Sequence, residues 1–215
     1  MSGSADLHRR LWKENADLAR ASLEHPFVQG LAQGDLDQDA FRRYVAQDAF
    51  FLRAFHRAYA LAAAKCGPVT PLAILRRVES LMTGVLDELD LHAGYAEELG
   101  IDLDRVDPHP ATFAYTDFLL RTAWEGEPGE IFASMTPCMR LYAWLGQELE
   151  EHDHPGNPYH EWIRTYGSEE FAGLADEMES LLDELAEDTD AVRDAYRYAM
   201  VCERDFFSAP LGRGE

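Results

Sequence analysis

Three side chains that could do chemistry together lie on the apolar faces of three different predicted helices. Asp48 falls four residues after Tyr44 on one such face, and Cys138 and Glu203 hold the same kind of position in two later helices. Burying an unpaired carboxylate is costly, so each must find a partner or shift its pKa upward. A thiol with two carboxyl groups suits nucleophilic and acid–base catalysis. The structural alternative is that the carboxylates satisfy core donors and the cysteine is a small buried hydrophobe.

Aromatic residues accompany this trio and are available to line a cavity. They are Tyr44, Phe51, Tyr115, Tyr142 and Tyr166. An aromatic-lined pocket with a few convergent polar groups is how a protein holds a flat heterocyclic ligand. We therefore favour a binding site for such a ligand over three unrelated core residues.

Pro137 precedes the cysteine inside SMTPCMRLYAWLG (134–146), which otherwise has the pattern of a helix. Proline removes a helical hydrogen bond and displaces the carbonyl four residues earlier, here that of Ala133. Either the helix kinks, or Thr136 caps a new helix that begins at Pro137. A new helix would put Cys138 in its first turn, where the dipole lowers a thiol's pKa. A kink is compatible with an inert thiol, and the sequence leaves both possibilities open.

The elements that must position these residues are all helices. Helical periodicity extends along the chain, and no segment alternates apolar and polar residues over six or more positions. The 215 residues are 47% hydrophobic, which suits one core. We therefore predict a single all-α helical bundle over residues 1–215. Its predicted helices are 5–22, 26–33, 37–66, 70–99, 110–125, 129–151, 158–166, 168–187 and 189–207.

Composition restricts the partners and the compartment. The chain has 40 acidic and 19 basic residues and a net charge of −21, so it should repel nucleic acid and anionic membranes. It has no run of apolar residues long enough for a membrane span and no apolar segment typical of a signal peptide. Three widely spaced cysteines fit reduced thiols of a cytoplasmic protein, with Cys66 and Cys202 as structural residues. The acidic surplus, with Lys13 and Lys65 as the two lysines, is typical of a protein adapted to high salt.

Five segments around these residues resemble the TenA family, also called thiaminase II or aminopyrimidine aminohydrolases. They are RYVAQDAFFLRAF (43–55), PATFAYTDFLL (110–120), TPCMRLYAWLG (136–146), YHEWIRTYGSEEF (159–171) and CERDFF (202–207). Their order and spacing also match, which makes the resemblance specific. It implies a haem-oxygenase-like helical bundle, assembled as a homotetramer, with no metal or organic cofactor.

The resemblance also implies an activity on a small-molecule aminopyrimidine. The family removes the exocyclic amine from 4-amino-5-aminomethyl-2-methylpyrimidine by hydrolysis, which gives hydroxymethylpyrimidine and ammonia for thiamin salvage. Cleavage of thiamin is a related activity. A thiolate can add to the electron-poor ring once an acid has protonated or hydrogen-bonded a ring nitrogen, and water then replaces the expelled amine.

Residue roles follow from the resemblance by position. Cys138 is similar to the nucleophile, Glu203 to the acid/base that handles leaving group and water, and Asp48 to the carboxylate that binds the aminopyrimidine edge. The pocket tyrosines are matched by Tyr115, Tyr142 and Tyr166, with Tyr44 beside them. We expect Tyr166 to hydrogen-bond Glu203, and Phe51 to stack on the ring.

Some positions depart from the family pattern. Phe51 lacks the hydroxyl that some relatives carry there, so only stacking is expected. Met139 and Arg140 stand where relatives often have bulky aromatics, which would change the rim of the pocket. A related branch lacks the cysteine and uses carboxylates, and Cys138 places this chain in the cysteine-bearing branch.

Two other functions fit parts of the pattern. A haem-oxygenase-like bundle can hold a di-iron centre, which needs Glu-x-x-His on two helices. The chain offers Glu88 and His92 at i, i+4, and we interpret His56 and His92 as ordinary helix residues. His152, His154 and His160 are interpreted as parts of a solvated turn. A non-catalytic pyrimidine- or thiamin-binding regulator is the other alternative, but binding alone does not require a thiol.

Overall fold

The computed structural model describes residues 6–212. These residues form helices and connecting turns, with no strand among them, so the all-α prediction is confirmed. In chain order the helices are α1 (Leu7–Glu14), α2 (Ala16–Leu23), α3 (Pro26–Gln33), α4 (Gln38–Lys65), α5 (Leu72–Leu99), α6 (Pro110–Glu125), α7 (Pro128–Glu150), α8 (His160–Gly167), α9 (Glu169–Leu185) and α10 (Asp190–Ser208). Two short 3₁₀ turns lie at Leu103–Arg105 and Ala209–Leu211.

The first predicted helix, 5–22, is wrong as one element. Residue 5 lies outside the described residues, and the remainder divides into α1 and α2 at Asn15, whose backbone leaves the helical region (φ −110°, ψ 18°). The Asn15 side chain donates to the Leu11 carbonyl at 2.8 Å. Such a local side-chain bond competes with the helix and favours a break there. The other helices begin and end within two residues of their predicted bounds.

Helix α7 is the central element of the bundle and packs against α8, α9 and α10. Its crossing with α8 needs glycine at Gly146, because an added Cβ there would collide with the backbone of Gly167 and Tyr166. Helix α4 packs on α5 and α6 and also touches α7. The buried faces of five helices therefore surround one interior. These helices are α4, α5, α6, α7 and α10.

Helix α7 continues through Pro137 without a break, so the possibility of a new helix there is excluded. The Thr136 hydroxyl donates to the Phe132 carbonyl at 2.7 Å. Ser134 does the same to the carbonyl of Ile131, also at 2.7 Å. Both hydroxyls bond back to the preceding turn instead of capping a following one. Cys138 therefore lies in mid-helix, away from the positive end of a helix dipole.

Candidate active site

Helices α7 and α10 bring Cys138 and Glu203 into contact, and α6 adds Tyr115. The Tyr115 hydroxyl donates to Glu203 Oε1 at 2.6 Å. Burial of Glu203, which is 1% exposed, raises the pKa of its carboxyl to about 8, although hydrogen bonds from Tyr115 and Cys138 act to lower it. A carboxyl group with this pKa is mostly protonated near neutral pH and can exchange a proton in either direction.

The Cys138 thiol is protonated in the resting site. Burial raises its pKa well above the ordinary value, and the negative charges of Glu203, Glu88 and Asp48 raise it further. The site therefore does not contain a thiolate that is stabilised by a helix dipole. Cys138 is half-buried while Pro137 and Met139 on either side are buried, so part of its surface stays accessible. The carboxyl group hydrogen-bonded to this thiol is that of Glu203.

Asp48 is held by a histidine from α5. His92 Nε2 lies 2.8 Å from Asp48 Oδ2, and His92 Nδ1 lies 2.9 Å from the Glu88 carbonyl oxygen. Both partners only accept hydrogen bonds, so both ring nitrogens must carry protons. Burial acts to lower the pKa of His92, but its bond to Asp48 and the negative charge there raise it to about 9. The interpretation of His92 as an ordinary helix residue is wrong, since its imidazolium forms a buried ion pair with Asp48.

Tyr166 does not contact Glu203 as expected, and that prediction is wrong. Its hydroxyl donates to Glu88 Oε1 at 2.7 Å, because Tyr166 on α8 faces α5, whereas Tyr115 on α6 reaches α10. Burial raises the pKa of Glu88 to about 7, and the charge of Asp48 adds to this rise. The site therefore has a second carboxyl with a raised pKa.

The predicted aromatic residues are buried and close together. Ring centroids of Phe51 and Tyr115 are 4.7 Å apart, and those of Tyr142 and Tyr166 are 4.8 Å apart. The Tyr44 hydroxyl lies 3.3 Å from both the Tyr142 hydroxyl and Asp48 Oδ2. Trp162, which was not among the predicted pocket residues, donates its indole N–H to the Tyr44 hydroxyl at 3.2 Å. These rings form an apolar surround for the polar groups, suited to a flat ligand.

Glu88 and His92 share a sequence feature with Asp48, a polar residue on the apolar face of a helix. The buried residues of α5 include Leu81, Val85, His92 and Ala96, and Glu88 continues the same helical stripe. Polar residues on an apolar stripe are the signal that selected Asp48. Applied to α5, it would have selected this pair as well.

The histidines of the loop before α8 lie apart from the site. His152 and His154 are exposed, and His160 forms a close ion pair with Asp153. Among residues 6–212, no group of three or more His, Cys, Asp or Glu side chains is arranged to hold a metal ion. Within the same residues, no helix is long and apolar enough to cross a membrane.

Solved structures with the same arrangement of helices define the class of fold. A domain from Shewanella denitrificans, described as having a heme oxygenase-like fold, superposes with a TM-score of 0.76 at 15% identity, over 94% of this chain and 91% of that chain. A TenA homologue from Pyrococcus furiosus superposes with a TM-score of 0.86 at 25% identity, over 94% of this chain and 98% of that chain. The fold is therefore a haem-oxygenase-like helical bundle, as the resemblance implied.

Residues 12–210 match the model of the TENA/THI-4/PQQC family, and the chain belongs to this family. The aminopyrimidine aminohydrolase of Bacillus subtilis is 36% identical over 83% of this chain and 76% of its own. The mitochondrial bifunctional TH2 protein of Arabidopsis thaliana is 35% identical over 95% of this chain, which spans only 37% of that longer protein.

Proposed function

We propose that the protein hydrolyses 4-amino-5-aminomethyl-2-methylpyrimidine to hydroxymethylpyrimidine and ammonia in thiamin salvage. The observation that carries the proposal is the contact of the Cys138 thiol with Glu203, whose buried carboxyl has its pKa raised to about 8. Relatives named aminopyrimidine aminohydrolase, at up to 36% identity, support the same substrate class. Cleavage of thiamin is the related activity to be tested beside it.

In this mechanism Asp48 binds the aminopyrimidine edge of the substrate. Paired with the His92 imidazolium, it is a carboxylate that can accept two hydrogen bonds. The 4-amino N–H, which stays on the ring, supplies one donor, and a protonated ring nitrogen supplies the other. Protonation of that nitrogen makes the ring electron-poor, so this binding mode also activates it. Phe51, whose ring packs on that of Tyr115, would stack on the substrate ring, with Tyr142 as a further pocket residue.

Glu203 moves the protons of the covalent steps. It takes the thiol proton as Cys138 Sγ bonds to a ring carbon, and it gives that proton to the amine as the exocyclic C–N bond breaks. It next takes a proton from water, whose oxygen bonds to the exocyclic carbon. The C–S bond then breaks, the ring regains its aromaticity, and Cys138 leaves as a thiol with the proton held by Glu203.

Ammonia release from the aminomethylpyrimidine by the purified protein tests the proposal. Cys138→Ala and Glu203→Gln should each lower kcat by at least about a hundredfold, because each removes a group from the covalent or proton-transfer steps. Cys66→Ala is the matched control, since Cys66 is a half-exposed thiol at the end of α4. Tight binding without ammonia release would instead support the non-catalytic regulator.

We also infer that the protein acts as a cytoplasmic homotetramer, as the family resemblance implies. Exposed apolar side chains support an assembly: Phe113 and Trp124 on α6 are 58% and 67% exposed, and Tyr198 on α10 is 46% exposed. Large apolar groups of this kind are typical of contact surfaces when they cluster. Sedimentation equilibrium of the wild type, with Trp124→Glu for comparison, measures the number of subunits.

A further inference from the structure

Glu88 lies between the candidate active site and a neighbouring apolar pocket. On one side its carboxyl is bonded to the Tyr166 hydroxyl at 2.7 Å, and the Tyr166 ring contacts that of Tyr142. On the other side it forms part of the wall of a cavity of about 190 Å³. This half-buried carboxyl group takes no part in the steps proposed for Cys138, Glu203 and Asp48.

The pocket adjoins the part of α7 that carries the thiol. Met139, the residue after Cys138, lines it, and so does Tyr59. Glu88, which also lines the pocket, is near enough to the thiol for its negative charge to raise the pKa of Cys138. Whatever group leaves the pyrimidine at Cys138 and Glu203 therefore has this pocket next to it.

The walls of the pocket are mostly apolar, with Thr165 as a neutral polar residue and Asp87 and Glu88 as the acidic ones. Leu81, Val85, Phe171 and others supply carbon surface, and none of the residues that line it is basic. The cavity is smaller than the roughly 300–1,000 Å³ that hold a whole drug-sized ligand, so it suits one ring or one substituent. Beside apolar walls a carboxylate attracts a cation more strongly than in bulk water, because the walls screen the charges less.

We propose that Glu88 and this pocket receive the leaving-group side of the substrate, and that Glu88 selects positively charged leaving groups over neutral ones. The inference rests on the proposed function. The leaving amine becomes an ammonium when Glu203 gives it the thiol proton, and thiamin carries a permanent thiazolium ring of a size that suits the pocket. The N-formyl derivative of the aminomethylpyrimidine is neutral, as is the hydroxymethylpyrimidine product. A carboxylate at this place thus retains substrates and releases product.

The experiment compares thiamin with the N-formyl derivative, since both give hydroxymethylpyrimidine and chromatography measures it. The charge-preference ratio is kcat/KM for thiamin divided by kcat/KM for the N-formyl derivative. Glu88→Gln keeps the size of the side chain and its ability to accept from Tyr166, and it should lower this ratio about tenfold. Glu88→Asp should keep most of the ratio. Asp90→Asn is the control, because Asp90 is an exposed carboxylate on the same helix that does not line the pocket.

An equal change of kcat/KM for both compounds in Glu88→Gln would overturn the proposal, as would an unchanged ratio. Calorimetric binding of the same compounds separates this result from failure of the proposed function. If the wild type releases no hydroxymethylpyrimidine, the proposed function is wrong. The ratio of the Kd values for thiamin and the N-formyl derivative then still tests whether Glu88 selects by charge. Loss of that ratio in Glu88→Gln supports the charge selection, and its retention contradicts it.

Discussion

His92 Nε2 lies 2.8 Å from Asp48 Oδ2 in an ion pair whose side chains are only 3% and 6% exposed. An ion pair so well buried is costly to break, because the remaining charge is left without a partner. It fixes Asp48 as an acceptor before any substrate arrives. The pair thus joins α4 to α5 at the carboxylate that we propose binds the aminopyrimidine edge.

Replacing His92 with Gln should change how stability depends on pH. Below about pH 6.5 both the folded and unfolded chains keep the imidazolium, so its contribution is fully present. Above that pH the unfolded chain loses the proton first, and the contribution falls until it is gone above about pH 9. The free energy of unfolding, measured by urea titration between these values, should fall by about 3 kcal/mol more in the wild type than in the variant.

His152→Gln is the control for this measurement, because His152 is an exposed loop residue. It should follow the wild-type curve. If His92→Gln also followed that curve, the imidazolium would not be part of the folded state.

Tyr115→Phe should move the pH profile of the reaction upward. The Tyr115 bond favours the ionised form of Glu203, so its removal raises a pKa that already lies at about 8. The part of the pH profile of kcat/KM that is set by the titration of Glu203 should shift to higher pH by roughly one unit. Initial rates across the pH range, with a constant ionic strength, measure it.

Tyr166→Phe is the matched control, since it removes an equivalent hydroxyl from Glu88. It should leave the part of the profile set by Glu203 in place. A shift of that part in Tyr166→Phe, and none in Tyr115→Phe, would mean that the two tyrosines have been assigned to the wrong carboxyl groups.

The sequence pattern predicted which side chains face the interior better than it predicted the contacts between them. Apolar stripes placed Asp48, Cys138 and Glu203 on inward faces, and these three do converge in the structure. Which tyrosine meets which carboxyl depends on how α6, α8 and α10 cross, and helical periodicity carries no information about crossing. The same is true of the Asp48–His92 pair, which joins two helices.

At two positions the hydrophobic pattern could not predict whether a helix continues or breaks, because local hydrogen bonds decide it. The break at Asn15 comes from one side-chain bond to the preceding turn, within a segment whose periodicity continues. At Pro137 the sequence allowed a kink or a new helix, and the back-bonding of Thr136 decided against the new helix. Such choices rest on single hydrogen bonds of about 1 kcal/mol, too small to be read from residue types alone.

Gly146→Ala should destabilise the protein by about 3 kcal/mol or more. The added methyl group would overlap the backbone of α8 at Gly167, which cannot move aside like a flexible side chain. Gly94→Ala is the matched control, because nothing lies within 4 Å of a Cβ built at Gly94. Within helix α5 that change should stabilise by up to about 1 kcal/mol. Urea unfolding curves of the two variants should therefore move in opposite directions, and a shared direction would contradict the close α7–α8 crossing.

Salt should stabilise this protein. Its net charge of −21 produces self-repulsion in the folded state that salt screens, since the Debye length falls from about 10 Å at 0.1 M to about 3 Å at 1 M. The apparent Tm should therefore rise between these concentrations of KCl, a salt that shifts the hydrophobic effect little. Potassium glutamate at equal ionic strength separates screening from specific chloride binding. A Tm that is independent of salt over this range would contradict adaptation to a high-salt interior, because surface repulsion would then contribute nothing measurable to stability.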